Sequence, residues 1–260
     1  MLTNKTALVT GSTSGIGLGV ARALARAGAN VMLNGLGDPA AIEALRRDLA
    51  ATTGADVRFH GADVSRAAEV AALVAATEQA FGAVDLLVNN AGLQFVSPVE
   101  DFPADRWDAI QHTVLHASFH AIKAALPGMR RRNWGRIINL VSVHGLVASP
   151  FKAAYVAAKH GQIGLTKTIA LEVAETGITC NAVCPGYVLT PLVEGQIASQ
   201  AEAHQLPRER VIREVILAAQ PSRRFVTVEE VAALVLFLCG EDARSITSAA
   251  IPIDGGWTAR

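Results

Sequence analysis

The sequence predicts a single-domain α/β protein with a doubly wound parallel sheet of about seven strands. Short runs of β-branched residues alternate with longer Ala- and Leu-rich helical patterns along all 260 residues, and no linker interrupts this alternation. A glycine-rich turn follows the first strand, where sheets of this kind bind phosphate groups. We therefore expect one domain over residues 1–260, with its ligands at the carboxyl ends of the strands.

The predicted strands are short apolar runs between helical patterns, which is typical of a sheet covered on both faces. They comprise residues 6–10, 31–34, 57–60, 86–89, 136–141, 179–183 and 250–253.

Two predicted helices have clear end signals. The pattern over residues 17–27 ends at Gly28, since glycine readily adopts the left-handed conformation that terminates helices. Thr227 and Glu230 have the spacing of a capping box, which begins a helix that continues to Cys239. The stretch 196–220 is polar, rich in charge and irregular in pattern, so we expect a mobile substrate lid at about residues 190–222.

Composition excludes several classes of protein. Lys and Arg together number 23, as do Asp and Glu, and the resulting net charge of zero argues against nucleic acid or an anionic membrane as partner. The best apolar run is too short to span a bilayer, and the N-terminus lacks a signal-peptide pattern. The three cysteines lack metal-site spacing and suit reduced, buried thiols, which favours a cytoplasmic protein.

The glycine-rich segment joins the first strand to the first helix. Gly11, Gly15 and Gly17 permit a tight turn, close approach of the backbone to a pyrophosphate, and close helix packing. The helix N-terminus also presents free N–H groups to an anion. Spacing alone fits an ordinary tight loop about equally well, but the position in the first strand–helix junction favours a dinucleotide.

The Gly-x₃-Gly-x-Gly spacing resembles the short-chain dehydrogenase/reductase family, which has a Rossmann-type fold. Further family matches follow in order over essentially the whole chain: Ala62-Asp63-Val64, Asn89-Asn90-Ala91-Gly92, Ser142 with Tyr155 and Lys159, and Pro185-Gly186. The resemblance implies a homotetramer and a nicotinamide dinucleotide. It also implies that adenine lies at Asp63 and Val64, the ribose side at Asn90, and the nicotinamide amide at Val188 and Thr190. The full set of implied cofactor residues is Gly11, Thr13, Gly15, Ile16, Gly17, Leu36, Asp63, Val64, Asn90, Tyr155, Lys159, Pro185, Val188 and Thr190.

The choice between NAD and NADP depends on the loop after the second strand. Folds that select NAD usually place an acid there, and folds that select NADP usually place a basic residue. Residues 34–38 contain no Lys or Arg, so a 2′-phosphate has no cationic partner and NAD is favoured. Asp38 is the available acid, although it lies far along the loop.

Ser142, Tyr155 and Lys159 are the predicted catalytic residues. Tyr155 and Lys159 share one face of a helix, and a nearby ammonium lowers the pKa of a phenol toward neutrality. An isolated Tyr-x₃-Lys is usually an ordinary amphipathic pair, but Ser142 at the end of a strand favours catalysis. Its hydroxyl can hydrogen-bond the substrate oxygen while Tyr155 transfers the proton.

One position departs from the family pattern. The family has an asparagine in the helix after the fourth strand, which helps to hold a water that links the lysine to solvent; here that place falls on Val114. The valine side chain cannot hydrogen-bond water. Our hypothesis is a proton relay that is weakened or rerouted through Thr113 or His116, and it fails if Val114→Asn leaves the rate and its pH profile unchanged.

His112, His116 and His120 form a stripe on the same helix. Three imidazoles at this spacing can bind zinc or nickel, particularly across a subunit contact. Because acidic and cysteine co-ligands are lacking nearby, a packed or partly solvated helix face is the better interpretation. We therefore predict no metal.

A more specific resemblance is to the bacterial D-3-hydroxybutyrate dehydrogenases of this family. It rests on Gln94, Lys152, Gln196 and the segments 142–147, 185–194 and 254–257. It implies a carboxylate bound by Gln94, His144, Lys152 and Gln196, and a site walled by Tyr187, where the group usually has tryptophan, and Trp257. Together with the catalytic pair, the implied substrate residues are Gln94, Ser142, His144, Lys152, Tyr155, Tyr187, Gln196 and Trp257.

This resemblance implies an NAD-dependent dehydrogenase that interconverts D-3-hydroxybutyrate and acetoacetate. An ammonium with amide and imidazole donors independently suits a small hydroxy acid. Two alternatives stay open: a short-chain dehydrogenase acting on another small hydroxy or oxo acid, and a nucleotide-binding sensor whose turnover is weakened by Val114.

Overall fold

The computed structural model describes residues 1–259, without the side chains at positions 192, 199, 203 and 204. Seven strands in this part of the chain form one parallel sheet, which confirms the predicted fold class. The predicted strand ends differ from the observed ones by at most two residues. The strands are β1 (Thr6–Val9), β2 (Asn30–Asn34), β3 (Val57–His60), β4 (Leu86–Asn89), β5 (Gly135–Leu140), β6 (Ile178–Pro185) and β7 (Ala250–Ile253).

Helices connect successive strands, as a parallel sheet requires. They are α1 (Gly15–Arg26), α2 (Pro39–Thr53), α3 (Ala67–Phe81), α4 (Ala104–Gln111), α5 (Ala117–Arg132), α6 (Ala153–Glu172), α7 (Pro191–His204), α8 (Arg208–Arg210) and α9 (Val228–Cys239). A π-helical turn, His112–His116, joins α4 to α5. None of the described helices is long and apolar enough to cross a bilayer.

The predicted helix-end signals are present. Gly28 follows α1 with φ +96°, which a residue with a Cβ adopts only with strain. At the start of α9, the Thr227 hydroxyl accepts a hydrogen bond from the Glu230 N–H at 3.0 Å, and the Glu230 carboxylate accepts one from the Thr227 N–H at 2.7 Å. The capping box is therefore confirmed, and α9 ends at Cys239 as expected.

Strand order in the sheet is β3-β2-β1-β4-β5-β6-β7. The chain moves outward from β1 in one direction through β2 and β3, and then in the other direction from β4 onward. Loops on the two sides of this reversal point diverge at the carboxyl edge and leave a crevice between β1 and β4. The glycine-rich segment and Asn90 both lie at this crevice.

Two apolar layers hold the sheet between helices. On one face, Val20 and Leu24 of α1 pack with Val231 and Val235 of α9. On the other face, buried side chains of α3, α5 and α6 pack on the opposite side of the same strands. Because both faces are covered, the strands read as almost continuous apolar runs.

Much of the stretch 196–220 is helical, although its sequence pattern is irregular. It contains the end of α7, then α8, and then a π-helical segment, Val211–Ile216. The Thr190 hydroxyl caps α7 by accepting a hydrogen bond from the Val193 N–H at 3.4 Å. Apolar side chains between residues 193 and 217 form a small core of their own, which the polar composition of the segment conceals: Val193, Ile197, Val211, Ile216 and Leu217.

The three cysteines are free and buried, as the sequence indicated. Burial raises the pKa of Cys180 and of Cys239 to about 12, and that of Cys184 to about 11. Such thiols are protonated at neutral pH and act as small apolar side chains.

Candidate active site

A groove of about 650 Å³ lies at the carboxyl ends of β1, β2 and β4. It is bounded by the glycine-rich segment, the loops after β2 and β3, and the start of α7. Most of the predicted cofactor residues line it: Gly11, Thr13, Gly15, Ile16, Leu36, Asp63, Val64, Asn90 and Thr190.

The glycine-rich segment has the backbone conformation of a phosphate cradle. Gly11 and Gly15 have φ values of +61° and +53°, and a Cβ on Gly17 would lie 2.3 Å from the Gly11 carbonyl oxygen. Gly17 therefore permits close packing rather than lining the groove. Ser14 begins α1 without a side-chain cap, so the first-turn N–H groups remain available to an anion. These features fit a dinucleotide pyrophosphate.

Two asparagines hold this segment in place. The Asn90 amide donates to the carbonyl oxygens of Thr10 at 3.0 Å and Gly11 at 2.9 Å. Asn34 was not singled out from the sequence. Its side-chain Oδ1 accepts from the Gly11 N–H at 3.3 Å, and its side-chain Nδ2 donates to the His60 carbonyl oxygen at 3.0 Å. An amide at the end of β2 is the only sequence signal for this role.

Asp38 has a structural role. Its carboxylate accepts a hydrogen bond from the Ala41 N–H at 2.9 Å and caps α2, and it does not line the groove. The possible assignment of Asp38 as the ribose acid is therefore not supported by the geometry. Leu36 lines the groove instead and is 67% exposed. No Lys or Arg is among the described residues that line it.

A smaller cavity of about 130 Å³ lies beyond the inner end of the groove, and Ile16 and Thr190 line both. The structure brings together in this cavity every residue predicted from the sequence to bind substrate: Gln94, Ser142, His144, Lys152, Tyr155, Tyr187, Gln196 and Trp257. Val188 also lines it. A connecting cavity lined by Lys159 and Pro185 shares Tyr155 with the substrate cavity and Asn90 with the groove.

Ser142 follows β5, and its hydroxyl interacts with His144. The Ser142 Oγ accepts from the His144 N–H at 3.1 Å and lies 3.4 Å from the His144 Nδ1. The other ring nitrogen of His144 lies 2.9 Å from the Ser149 hydroxyl. Burial, followed by the charge of Lys152, lowers the pKa of His144 to about 4, so this imidazole is neutral at physiological pH.

Tyr155 and Lys159 lie one turn apart on α6. The Lys159 Nζ is 5.6 Å from the Tyr155 ring centroid. Burial raises the pKa of Tyr155 to about 12, although a hydrogen bond with Ser142 opposes this shift. Burial also lowers the pKa of Lys159 to about 7. Two groups whose burial opposes ionisation, placed together at a cavity, are a physical signature of an acid–base site.

Lys152 places an ammonium in the cavity without a carboxylate partner. Its Nζ donates to the Tyr187 hydroxyl at 3.4 Å, and it forms no salt bridge with any described residue. Burial lowers the pKa of Lys152. The Tyr187 ring stacks on Trp257 with centroids 5.5 Å apart and an interplanar angle of 24°. The cavity thus combines a cation with an aromatic wall.

Two glutamines complete the polar lining. The Gln94 Nε2 is buried and has no hydrogen-bond partner among the described residues, so it is a donor available to a ligand. Gln196 reaches the cavity from α7.

Val114 is fully buried in an apolar cluster with Ile110, Ala154 and Ala158. Among the described residues, neither Thr113 nor His116 hydrogen-bonds Lys159 directly, and a relay through either of them stays a prediction. The Lys159 Nζ bonds other groups, which are considered below.

The histidine stripe has no metal-like geometry. The rings of His112 and His116 pack edge to face with centroids 4.8 Å apart, and the ring of His120 contacts Phe119. Burial, followed by the neighbouring histidines, lowers the pKa of His116. The described residues contain no group of three metal-ligating side chains in suitable geometry.

Comparison with known proteins places this chain in a family. A family model described as enoyl-(acyl carrier protein) reductase matches residues 11–258. The D-beta-hydroxybutyrate dehydrogenase of Rhizobium meliloti (strain 1021) is 56% identical over 98% of this chain and 99% of its own length. The chain belongs to the short-chain dehydrogenase/reductase family.

Other similar proteins agree with this assignment. The D-beta-hydroxybutyrate dehydrogenase of Cupriavidus necator is 54% identical over the full length of both chains. Among solved structures, a variant of actinorhodin polyketide ketoreductase with NADPH has a TM-score of 0.93 and 36% identity, and each chain is covered completely. This short-chain dehydrogenase is therefore an oxidoreductase that uses a nicotinamide dinucleotide.

Proposed function

We propose that this short-chain dehydrogenase interconverts D-3-hydroxybutyrate and acetoacetate with NAD as its cofactor. The observation that carries the proposal is Lys152. An ammonium that lies in a small cavity beside a neutral phenol, with no carboxylate among the described lining residues, is suited to an anionic ligand. The unpartnered Gln94 amide adds a second donor. The similar proteins named D-beta-hydroxybutyrate dehydrogenase support this substrate.

Tyr155 is the proposed general acid and base. A bound nicotinamide supplies the site that accepts or donates the hydride. Tyr155 takes the proton of the substrate hydroxyl during oxidation and returns it during reduction, while the Ser142 hydroxyl orients the reacting oxygen. The Lys159 ammonium and the positive charge of the oxidised cofactor stabilise the phenolate, which opposes the effect of burial on the pKa of Tyr155.

The proposal of NAD rests on Leu36 and on the absence of Lys and Arg from the described lining of the groove. A 2′-phosphate would meet an aliphatic side chain there and would lose its hydration without a charged partner. A solved neighbour contains NADPH, so this fold can also accommodate a 2′-phosphate. The composition of the loop after β2 is therefore the basis of the proposed preference for NAD.

The wider assembly also belongs to this proposal. We propose a homotetramer in the cytoplasm, in which the segment 190–222 covers the substrate. The exposed apolar side chains of Phe119 on α5 and Leu171 on α6 support an interface on these helices.

Steady-state NADH formation with a panel of alcohols tests the activity. The panel is D-3-hydroxybutyrate, its L enantiomer, longer 3-hydroxy acids and the uncharged methyl ester of D-3-hydroxybutyrate, each with NAD and NADP. We expect the D acid with NAD to give the highest kcat/KM and the ester to lose at least tenfold, since it lacks the charge that Lys152 binds. If another hydroxy acid gives the highest kcat/KM, that acid replaces D-3-hydroxybutyrate as the proposed substrate. Tight NADH binding without turnover of any alcohol would favour a nucleotide-binding sensor.

A further inference from the structure

The ammonium of Lys159 is held by two buried acceptors. The Leu140 carbonyl oxygen lies 2.7 Å from the Lys159 Nζ, and the side-chain oxygen of Gln162 lies 2.9 Å from it. Lys159 is 3% exposed and Gln162 is 1% exposed. Tyr155 on the same helix and Cys184 on β6 are the titratable groups that face it, and neither is an acid that is ionised at neutral pH. The ammonium therefore depends on neutral dipoles.

The Gln162 amide is anchored at its other end. Its Nε2 donates to the Ser118 hydroxyl oxygen at 2.7 Å and to the Val114 carbonyl oxygen at 3.2 Å. The Ser118 hydroxyl in turn donates to the same Val114 carbonyl at 2.8 Å, which leaves its lone pairs free to accept from Gln162. All of these atoms are in the buried interior between α5 and α6.

This network fixes the orientation of the amide. The Val114 carbonyl is only an acceptor, so the NH₂ group of Gln162 must face it and the oxygen must face Lys159. A reversed amide would place two acceptors together and would direct N–H groups at an ammonium. Val114 lies in the π-helical turn, a local distortion of the kind that re-aims backbone groups at functional sites.

We propose that Gln162 is a positioning residue for Lys159. Anchored by Ser118 and the Val114 carbonyl, its amide supplies from α6 the polar contact to the lysine that the Val114 side chain cannot supply, and so holds the ammonium beside Tyr155. The inference rests on the proposed roles of Tyr155 and Lys159. The network fixes the position and the charge of Lys159. Gln162 does not line the substrate cavity.

The proposal has a specific consequence for two titrations. Without the Gln162 oxygen, the buried ammonium loses one of two acceptors, so the pKa of Lys159 falls. A neutral Lys159 stabilises the Tyr155 phenolate less, so the pKa of Tyr155 rises in the loaded enzyme. The acid limb of the pH profile for alcohol oxidation then moves to higher pH.

The experiment compares Gln162→Val with the unmodified chain. The first readout is the titration of Lys159 in the cofactor-free protein, followed by NMR of ¹³Cε-labelled lysine and assigned with Lys159→Met. The second readout is the pH dependence of kcat for oxidation. We expect the Lys159 midpoint to fall and the kinetic limb to rise by about half a pH unit or more, which lowers kcat near neutrality by about threefold or more. The NMR titration requires no turnover, so it remains informative if the proposed substrate is wrong.

A relocated amide and a matched control separate positioning from general damage. Val114→Asn in the Gln162→Val background returns an amide to the family position, and we expect it to recover at least half of each shift. Val114→Asn alone should give no gain, because an amide is already present, whereas a relay weakened by Val114 would require this substitution to raise the rate. Thr77→Val removes a buried hydroxyl whose hydrogen bond, among the described residues, is to the Leu73 carbonyl within α3, and it should shift neither readout. An unchanged Lys159 midpoint in Gln162→Val, or shifts that the second substitution does not reverse, would overturn the proposal.

Discussion

The Nζ of Lys152 lies 3.4 Å from the hydroxyl of Tyr187, and this neutral phenol is its hydrogen-bond partner in the described structure. Lys152 is also the N-cap residue of α6, the helix that carries Tyr155. A substrate carboxylate held by this ammonium therefore has its hydroxyl-bearing carbon within the same cavity as the Tyr155 hydroxyl. One helix therefore positions both the proposed carboxylate anchor and the proposed general acid and base.

Lys152→Met should raise the KM for D-3-hydroxybutyrate by tenfold to a hundredfold, because a hydrogen bond to a charged group contributes about 1.5–3 kcal/mol. The KM for NAD should stay unchanged, since Lys152 does not line the cofactor groove. Lys167→Met is the matched control, because Lys167 is exposed on the same helix. Equal increases in both Michaelis constants would contradict the role of Lys152 as carboxylate anchor.

Tyr155→Phe should lower kcat by about 10²–10⁴, the range typical of losing a positioned proton-transfer group. The substitution keeps the aromatic ring and its packing, so the Kd for NADH and the thermal midpoint should be preserved. Both are measured beside the rate, by NADH fluorescence and by calorimetry. If kcat falls less than tenfold and its pH dependence is unchanged, Tyr155 does not transfer the proton.

Lys159 should make folding stability depend on pH. Its pKa is lowered from 10.5 to about 7 in the folded chain by burial, so between these values the unfolded chain binds more protons. The free energy of unfolding should therefore rise with pH in this window, by at most about 1.4 kcal/mol per pH unit. Lys159→Met lacks this titration. Denaturant unfolding at several pH values should show the variant most stabilised relative to the original chain at or below pH 7, with the difference shrinking toward pH 10.5.

Leu36→Arg should increase kcat/KM with NADP by about tenfold or more, because it offers a 2′-phosphate the cation that the groove lacks. The activity with NAD should change much less. Val99→Arg adds the same charge at an exposed position outside the groove and serves as control. If NADP is used equally well before the substitution, the proposed preference for NAD is incorrect.

Local patterns predicted much of this structure. The seven strands follow from runs of β-branched residues, and the turn at Gly11 and the cap at Thr227 follow from residue chemistry at fixed spacing. The eight proposed substrate residues were predicted from a resemblance to a family whose fold already brings the corresponding positions together. They lie in five separate parts of the chain, and spacing alone could not bring them to one cavity.

Other features depend on contacts that no local pattern reports. Asp38 could be an acid for ribose or a cap for α2, and only the direction of its carboxylate decides between them. Gln162 follows Lys159 by three residues, which places it on the same helix side. The sequence does not show that its amide also reaches α5. The segment after Thr190 has an irregular sequence pattern although it is largely helical, because its few apolar residues pack with one another and not on the sheet.

The small core of that segment provides a test of the proposed substrate lid. Ile197 is fully buried among Val193, Val211 and Leu217, one residue beyond Gln196. Ile197→Ala should destabilise this unit by about 2–5 kcal/mol, which favours local opening because the unit packs mainly with itself. We expect faster proteolysis within residues 190–222, a higher KM for D-3-hydroxybutyrate and an unchanged Kd for NADH.

A matched variant in the main core distinguishes local opening from general loss of stability. Ile122→Ala removes the same atoms from α5, where Ile122 packs beneath the sheet far in sequence from the lid. It should lower the thermal midpoint without changing the KM for the substrate, because the position of Gln196 does not depend on it. If both variants raise this KM equally, the segment 190–222 is part of the global folding unit and does not act as a separate lid.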